Sequence, residues 1–316
     1  MSARSIVLAD DIANQTDPGK RRSQAIRAVA SFLAQRLKTR IDLLYVEDVK
    51  TYPHKMDPAR IRTRHFQHRE KLIVLSKQLP EPVTHTIKSG SPAEEILKAI
   101  RARPAAELAI VGTQGRKGMK RLLIGSVAEE VIRHSKRPVL VVGPAARELA
   151  LNFTAGKQLK LLVATDLGEN SRPAEQYALS LAKRMDGRVV LFHCLGDSYR
   201  MIVHDSSTVA GWVPINIDTM LEEIRSDALQ TLTRKADFFR KRGVPCEVKL
   251  EDTMMAASCG VYQEAGNGYS FIVMGTHGRN VVLEAFFGST ARETILRASV
   301  PVITVHSAKC TLEDRA

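Results

Sequence analysis

Two stretches of 31 residues in this chain share one pattern. Residues 112–142 read GTQGRKGMKRLLIGSVAEEVIRHSKRPVLVV, and residues 275–305 read GTHGRNVVLEAFFGSTARETILRASVPVITV. Three glycines, the serine behind the third glycine and the proline before the final apolar run recur at a constant offset of 163 residues, without a gap. Identical spacing over this length indicates that a whole unit is duplicated. The chain is therefore predicted to contain two copies of one domain.

Earlier segments repeat at other offsets and define the domain organisation. IVLADD, ending at Asp11, matches LLVATD, ending at Asp166, at an offset of 155 residues. IDLLYV matches VVLFHC at an offset of 148, so the first copy has about seven extra residues after its first strand. A chain of 316 residues also suits two domains of about 150 residues each. We predict one domain over residues 1–145 and a second over residues 157–310.

Short β-rich runs alternate with segments of helical periodicity in each copy. In the first copy the predicted strands are IVLA, IDLLYV, VTHTIK, ELAIVG and PVLVV, and the helices between them include a long basic one over residues 59–78. Strands connected through helices form parallel βαβ units. The predicted fold class is α/β, with two tandem doubly wound parallel-sheet domains of the Rossmann-like type. Such sheets bind ligands at the carboxyl ends of their strands.

The three repeated glycines favour a phosphate-binding site. Gly112 directly follows the predicted strand ELAIV, and Gly115 lies in the next turn, where glycine permits a positive φ and a close backbone approach. Gly125 and Ser126 open the helix SVAEEVIRHS, whose first amides lack partners within the helix and attract anions. A simple turn and helix N-cap is the alternative, but recurrence in both copies favours phosphate. Four basic residues in the nine-residue excursion add positive charge: Arg116, Lys117, Lys120 and Arg121.

The net charge of +13 belongs entirely to the first half of the chain. Residues 1–150 carry 28 basic and 15 acidic side chains, whereas residues 151–316 carry 19 of each. A basic half is compatible with nucleic acid, anionic lipid or a phosphorylated ligand. We disfavour nucleic acid, since only Phe66 is interleaved for stacking and a solvated basic helix explains the charges equally well. The basic residues of this helix that were considered for nucleic-acid binding are Arg60, Arg62, Arg64, Arg69 and Lys71.

Cysteines and apolar runs indicate a cytoplasmic protein without a protein-bound metal. The four cysteines, all in the second half, form no CxxC pair and are predicted to be reduced and mostly buried. His65 and His68 share a helix turn, but nothing nearby completes a zinc ligand set, so we expect a solvated helix surface. The N-terminal apolar run is too short for a signal peptide, and no run reaches the length of a membrane span.

The pattern G-x2-G-x9-G-[ST], placed after a strand and closed by PVLVV, resembles the universal stress protein family. Because the pattern occurs twice, the resemblance covers nearly the whole chain as a tandem pair. In the ATP-binding branch of that family the glycines and the Ser/Thr hold ribose and phosphates. An Asp ending the first strand meets the nucleotide, and a Val ending the second strand offers its backbone to adenine. The resemblance also implies the HUP type of Rossmann-like fold. The implied cofactor is ATP with Mg²⁺, held without a dedicated protein metal site.

The resemblance assigns a nucleotide-binding set to each copy. The first-copy set is Asp11, Val46, Gly112, Gly115, Gly125, Ser126 and Val127, with Asp10 as the alternative to Asp11. The second-copy set is Asp166, Cys194, Gly275, Gly278, Gly288, Ser289 and Thr290. No catalytic residue is assigned. Cys194 stands where the first copy has Val46, a change that a backbone contact tolerates.

Differences between the copies predict a tighter first site. The first copy keeps the family's Gly-x-Pro turn in KSGSPAEEIL, whereas the second has LEDTMMAASC with two acids. The second excursion keeps only Arg279 as a positive charge and adds Glu284, which opposes a polyphosphate. Against this, we expect the longer loop after Asp11 to be able to close over the first pocket.

The function implied by the resemblance is that of an ATP-binding regulatory protein of the stress response. The resemblance implies slow ATP hydrolysis or autophosphorylation for some members, and Ser126 would be the first candidate acceptor in this chain. A scaffold with vacant sites is the main alternative. An adenylating enzyme is disfavoured because neither SGGxDS nor HIGH occurs. Family members dimerise through their last strands, here PVLVV and PVITV, so the resemblance implies an internal pseudo-dimer. A further homodimer and an unknown protein partner stay open.

Overall fold

A computed structural model of the chain describes residues 4–51, 57–113, 124–153, 158–201, 216–276 and 287–306. The first copy contains β1 Ser5–Ala9, α1 Asp17–Leu37, β2 Arg40–Asp48, α2 Pro58–Ser76, β3 Val83–Gly90, α3 Pro92–Arg101, β4 Ala106–Gly112, α4 Ser126–His134, β5 Val139–Val142 and α5 Arg147–Leu151. The second copy contains β6 Lys160–Ala164, α6 Arg172–Arg184, β7 Arg188–Cys194, α7 Ile217–Arg240, β8 Cys246–Glu251, α8 Ala257–Glu264, β9 Phe271–Gly275, α9 Ser289–Arg297 and β10 Val302–Val305.

The ten strands form one continuous sheet in the order β3-β2-β1-β4-β5-β10-β9-β6-β7-β8. All neighbours within a copy are parallel, as the βαβ pattern predicts. The copies join where β5 and β10 pair antiparallel, and Leu140 faces Ile303. These two residues are 163 positions apart and are therefore counterparts in the repeat. The predicted internal pseudo-dimer is confirmed, with its approximate twofold axis at this pair.

The central strands are apolar because helices cover both faces of the sheet. Ile6, Val7 and Leu8 of β1 are all at most 1% exposed, so neighbouring side chains on opposite faces are equally buried. This continuous burial is typical of parallel sheets and explains strands that read as unbroken apolar runs. The outermost strands β3 and β8 are only partly buried, as their polar residues require.

The seven extra residues of the first copy lengthen a helix, so the expectation of a longer loop after Asp11 is wrong. Both helices that follow the first strands end in the same way: Thr39 N–H donates to Ala34 O, and Gly187 N–H donates to Ala182 O. The offset between these residues is 148, which makes Leu37 and Arg184 nearly equivalent helix ends. Helix α1 has 21 residues against 13 in α6. The insertion therefore forms about two additional N-terminal turns of α1.

Cysteine chemistry and hydropathy agree with a packed α/β structure. Cys194 and Cys246 are buried, Cys259 is partly buried, and all three are free thiols. Burial raises the pKa of the Cys246 thiol to about 12. Within the described ranges, no helix is long and apolar enough to cross a bilayer.

Candidate functional site

A cavity of about 880 Å³ lies at the carboxyl ends of the first-copy strands. Six of the seven residues predicted for the first site line it: Asp11, Val46, Gly112, Gly125, Ser126 and Val127. The seventh, Gly115, lies outside the described residues, as do the basic residues Arg116, Lys117, Lys120 and Arg121. The apolar wall of the cavity includes Ala9, Leu44, Ile96, Val111 and Ile124. The charged residues that line the cavity include Asp10, Arg22, Glu47, Arg64 and Glu129.

The strand register places Asp11 at the position of Asp166. Ala9 pairs with Leu44, and Ala164 pairs with Phe192 in the same way. Two residues after each alanine comes the aspartate, so both carboxylates follow the end of the central strand.

Asp10 and Asp11 occupy different surroundings. The Asp10 side chain is fully buried, and its Oδ2 lies 2.6 Å from Arg27 Nη1. Ser23 Oγ donates to the other Asp10 oxygen at 2.5 Å. The Asp11 side chain is 46% exposed, with Arg22 Nη2 3.3 Å from its Oδ2. Of the two carboxylates, Asp11 is therefore the one available to a ligand.

Val46 presents its backbone to the cavity. Asp10 N–H donates to Leu44 O, so the peptide groups of Leu44 face β1. Backbone directions repeat every second residue, which turns the Val46 N–H and C=O to the same side. Pairing between β1 and β2 ends at Ala9 and Leu44, before Val46 is reached. Strand β2 itself continues to Asp48 against β3, so Val46 is not its last residue.

The N-terminus of α4 opens onto the cavity. The first backbone hydrogen bond of the helix runs from Glu129 N–H to Gly125 O, at 3.0 Å. The three preceding amides, from Ser126 onward, point out of the helix, and no described side chain caps them. Gly125 has φ +101, a conformation that favours glycine. Gly288, its counterpart before α9, has φ −60, so the second copy does not need glycine there for its backbone.

Gly112 makes room for an arginine, which the sequence reasoning missed. A Cβ at Gly112 would lie 2.5 Å from Cγ and 2.9 Å from Cδ of Arg22, closer than real carbon atoms approach. The Arg22 side chain is only 4% exposed and lies in the two additional turns of α1. The seven-residue length difference was the available signal, but it did not show that the insertion is helical.

A buried carboxylate between two histidines also lines the cavity. Glu47 is 2% exposed, and His65 and His68 place Nδ1 at 2.9 Å and 2.7 Å from its oxygens. Burial raises the pKa of Glu47, but hydrogen bonds and charges of the two histidines outweigh burial and hold it below its usual value. The expectation of a solvated histidine surface is therefore wrong for His68, whose side chain is 13% exposed, but it holds for His65, which is 46% exposed.

The second copy covers part of its own crevice. Five residues, 252–256, connect β8 to α8, where the first copy has Ser91 alone. Met255 O accepts a hydrogen bond from Cys194 Sγ at 3.3 Å, and a Cβ at Gly196 would lie 1.8 Å from the same oxygen. The connecting segment therefore lies directly over the end of β7.

The other described residues of the second-copy set follow β6, end β9 or begin α9. Asp166 Oδ1 accepts bonds from Ser171 Oγ and Gly168 N–H, while its buried Oδ2 has no partner among the described residues. Gly275 ends β9, and Gly288, Ser289 and Thr290 begin α9. Gly278, Arg279 and Glu284 lie outside the described residues.

Comparison with known sequences identifies the family. The sequence profile of the universal stress protein family matches residues 5–143 and again residues 159–306, which together make up most of the chain. This chain belongs to the universal stress protein family. The family resemblance inferred from the glycine pattern is thereby confirmed for both copies.

Individual universal stress proteins resemble parts or all of the chain. Universal stress protein MJ0531 of Methanocaldococcus jannaschii is 44% identical over 59 residues, covering 19% of this chain and 34% of that protein. MJ0577 of the same organism is 38% identical over 77 residues, covering 23% and 47%. The chain thus matches about a third and about half of the length of these curated relatives. A universal stress protein structure from Archaeoglobus fulgidus covers 96% of both chains with TM-score 0.63 at 18% identity, which shows a shared tandem fold.

Proposed function

We propose that this universal stress protein binds ATP in the first-copy cavity and acts as a nucleotide-dependent regulator in the stress response. The observation that carries the proposal is the cavity itself, which collects six predicted ligand residues from four separate segments of the chain. Its volume of about 880 Å³ lies in the range of roughly 300–1,000 Å³ for small-molecule sites.

The cavity has one end suited to a base and one suited to phosphates. Near β2, Leu44 and Ile96 give an apolar wall, and the Val46 backbone supplies a donor and an acceptor for a ring edge. At the other end, the free amides of α4 and the Ser126 hydroxyl face the same cavity, and the helix dipole favours an anion there. We propose that Mg²⁺ enters on the phosphates of ATP.

Regulation follows from binding alone. A ligand that binds only one conformation stabilises it by mass action, without a chemical step. Adenine nucleotide would thus change the surface offered to a protein partner, whose identity is open.

We propose that the first site is the tighter of the two. In the second copy, residues 252–256 lie over the end of β7 and bring Asp252 to that edge of the sheet. A nucleotide base there would have to displace the Met255 carbonyl from Cys194. The first cavity requires no such displacement.

Paired serine variants test both ATP binding in the first cavity and the proposal that the first site is the tighter one. Aspartate at Ser126 or Ser289 suits a helix N-terminus, so folding is preserved, but its charge repels phosphate. We expect Ser126→Asp to weaken binding of Mg-ATP by at least about tenfold, since a like charge nearby costs on the order of 1–4 kcal/mol. Ser289→Asp should leave the tight site unchanged in isothermal titration calorimetry.

Two outcomes would contradict this account. Equal losses in the two variants would overturn the asymmetry. Wild-type protein without co-purifying nucleotide by mass spectrometry, and without a thermal shift in millimolar Mg-ATP, would overturn ATP binding and favour the scaffold function.

A further inference from the structure

We propose that Arg22 makes the first site selective for nucleotides with a polyphosphate chain over nucleoside monophosphates and nucleosides. This inference rests on the proposed nucleotide function of the cavity and assigns its specificity to one side chain. Arg22 lines the cavity at the crevice between β1 and β4, beside Gly112 and Asp11.

The fold holds Arg22 firmly in this place. The additional turns of α1 carry the side chain across the end of β4, and the missing Cβ of Gly112 provides the space for its Cγ and Cδ. Its side chain is 4% exposed, so the guanidinium is largely removed from bulk water. An arginine held in this way forms charge-assisted bonds to an oxyanion without losing much side-chain entropy on binding.

Positive charge is concentrated around Arg22. Within the described residues, Arg22 donates a hydrogen bond to the Asp11 main-chain oxygen at 3.3 Å, and its Nη2 also lies 3.3 Å from Asp11 Oδ2. Arg147 approaches from α5, where its guanidinium donates to Thr113 O. Burial lowers the pKa of Arg147, and the nearby charge of Arg22 lowers it further. Arg147 therefore adds a second positive charge close to Arg22, and Arg22 is the one of the two that lines the cavity.

The geometry separates the charge of Arg22 from the part of the cavity suited to the base. Val46 belongs to β2, on the far side of β1 from β4, whereas Arg22 lies over the end of β4, the strand that precedes α4 in the chain. A phosphate chain directed from the β2 side toward the α4 amides passes the β1–β4 crevice. A nucleoside, lacking that chain, would not use the arginine.

The second copy has no basic residue at the sequence position that corresponds to Arg22. By the offset of 148, Asn170 and Ser171 stand where the first copy has Arg22 and Ser23. Asp166 instead accepts from the neutral Ser171 hydroxyl and the Gly168 amide. The arginine thus distinguishes the first site from the second.

The test is a titration of ATP, ADP, AMP and adenosine into the wild-type protein, Arg22→Gln and the control Arg21→Gln. Arg21 precedes Arg22 on the same helix, but its side chain is 68% exposed and lies 3.6 Å from Glu148. We expect Arg22→Gln to weaken ATP binding by about tenfold or more, as for the loss of a charged hydrogen bond. AMP should lose less, adenosine should be unchanged, and Arg21→Gln should bind all four ligands as the wild type does.

A second variant separates charge from packing. Arg22→Lys retains the charge without the planar donor fork and should fall between wild type and Arg22→Gln for ATP. Equal losses for ATP and adenosine in Arg22→Gln, or no loss for either, would overturn the assignment while leaving nucleotide binding intact. Failure of the wild-type protein to bind any of the four ligands would instead overturn the proposed function.

Discussion

Reversing one ion pair on the pseudo-twofold axis tests how the two copies hold together. Arg292 Nη2 of α9 lies 2.7 Å from Glu129 Oε1 of α4, and Arg133 approaches the same oxygen at 2.8 Å. Positions 129 and 292 are 163 residues apart, so each is the counterpart of the other in the repeat. Two identical copies meeting in this way would place like charges opposite each other. The pair therefore favours association of copy one with copy two.

The expected magnitude follows from the exposure of the pair. The side chains of Glu129 and Arg292 are 20% and 31% exposed, so the pair belongs at the upper end of the range of about 0.2–1 kcal/mol for surface ion pairs. Arg292→Glu removes this attraction and adds repulsion, which is on the order of 1–4 kcal/mol at 4 Å for effective dielectric constants between 80 and 20. We expect a loss of about 2 kcal/mol in the free energy of unfolding.

A double-mutant cycle measured by urea unfolding checks this value. The single variants Arg292→Glu and Glu129→Arg should each destabilise the protein, and the doubly reversed variant should recover about half of the summed loss. Full recovery is not expected because Arg133 would then face an arginine at position 129. A coupling energy below about 0.5 kcal/mol, the usual limit of additivity for independent sites, would refute the reasoning.

Two further variants test local features of the cavity. Gly125→Ala should destabilise the protein by about 1 kcal/mol more than Gly288→Ala in thermal or urea unfolding, because φ is +101 at Gly125 and −60 at Gly288; equal effects would contradict the strained conformation. Glu47 has a lowered pKa in the folded state, so its carboxylate contributes stability that is present above its unfolded value near 4.5 and is lost as the pH falls through the folded value. The stability difference between wild type and Glu47→Gln should therefore be largest near neutral pH and shrink on acidification below pH 4.5, and a constant difference across this range would contradict the role of the two histidines.

Much of the fold could be predicted because its determinants are local. Apolar runs and helical periodicity identified the alternating strands and helices, and the ungapped repeat implied that β5 and β10 are equivalent strands. Parallel βαβ units place strand ends at one edge, so Asp11, Val46 and Gly112 could be expected together. None of these steps depended on where a particular side chain points.

The details that were missed depend on contacts between distant segments. From the sequence alone, the seven inserted residues could form either a longer loop or two helical turns. Only the packed helix brings Arg22 against Gly112. Likewise, Glu47 and His68 are 21 residues apart, and their hydrogen bond depends on how α2 lies over β2. The contact between Met255 and Cys194 depends on the path of the segment that connects β8 to α8. Hydrophobic periodicity does not describe the path of such a segment.

Fusion of the two copies explains why they differ both at the interface and at the sites. In a dimer of identical chains, any residue at position 129 would face a copy of itself, so a charge there would meet a like charge. In the fused chain the two positions vary independently, and Glu129 can face Arg292. A second contact has the same character, because Arg184 of α6 lies 2.7 Å from Glu107 of β4, whose counterpart in the repeat is the uncharged Ser270. Since unlike partners hold the copies together, the second crevice is free to be covered by its own chain without loss of the architecture that supports the first cavity.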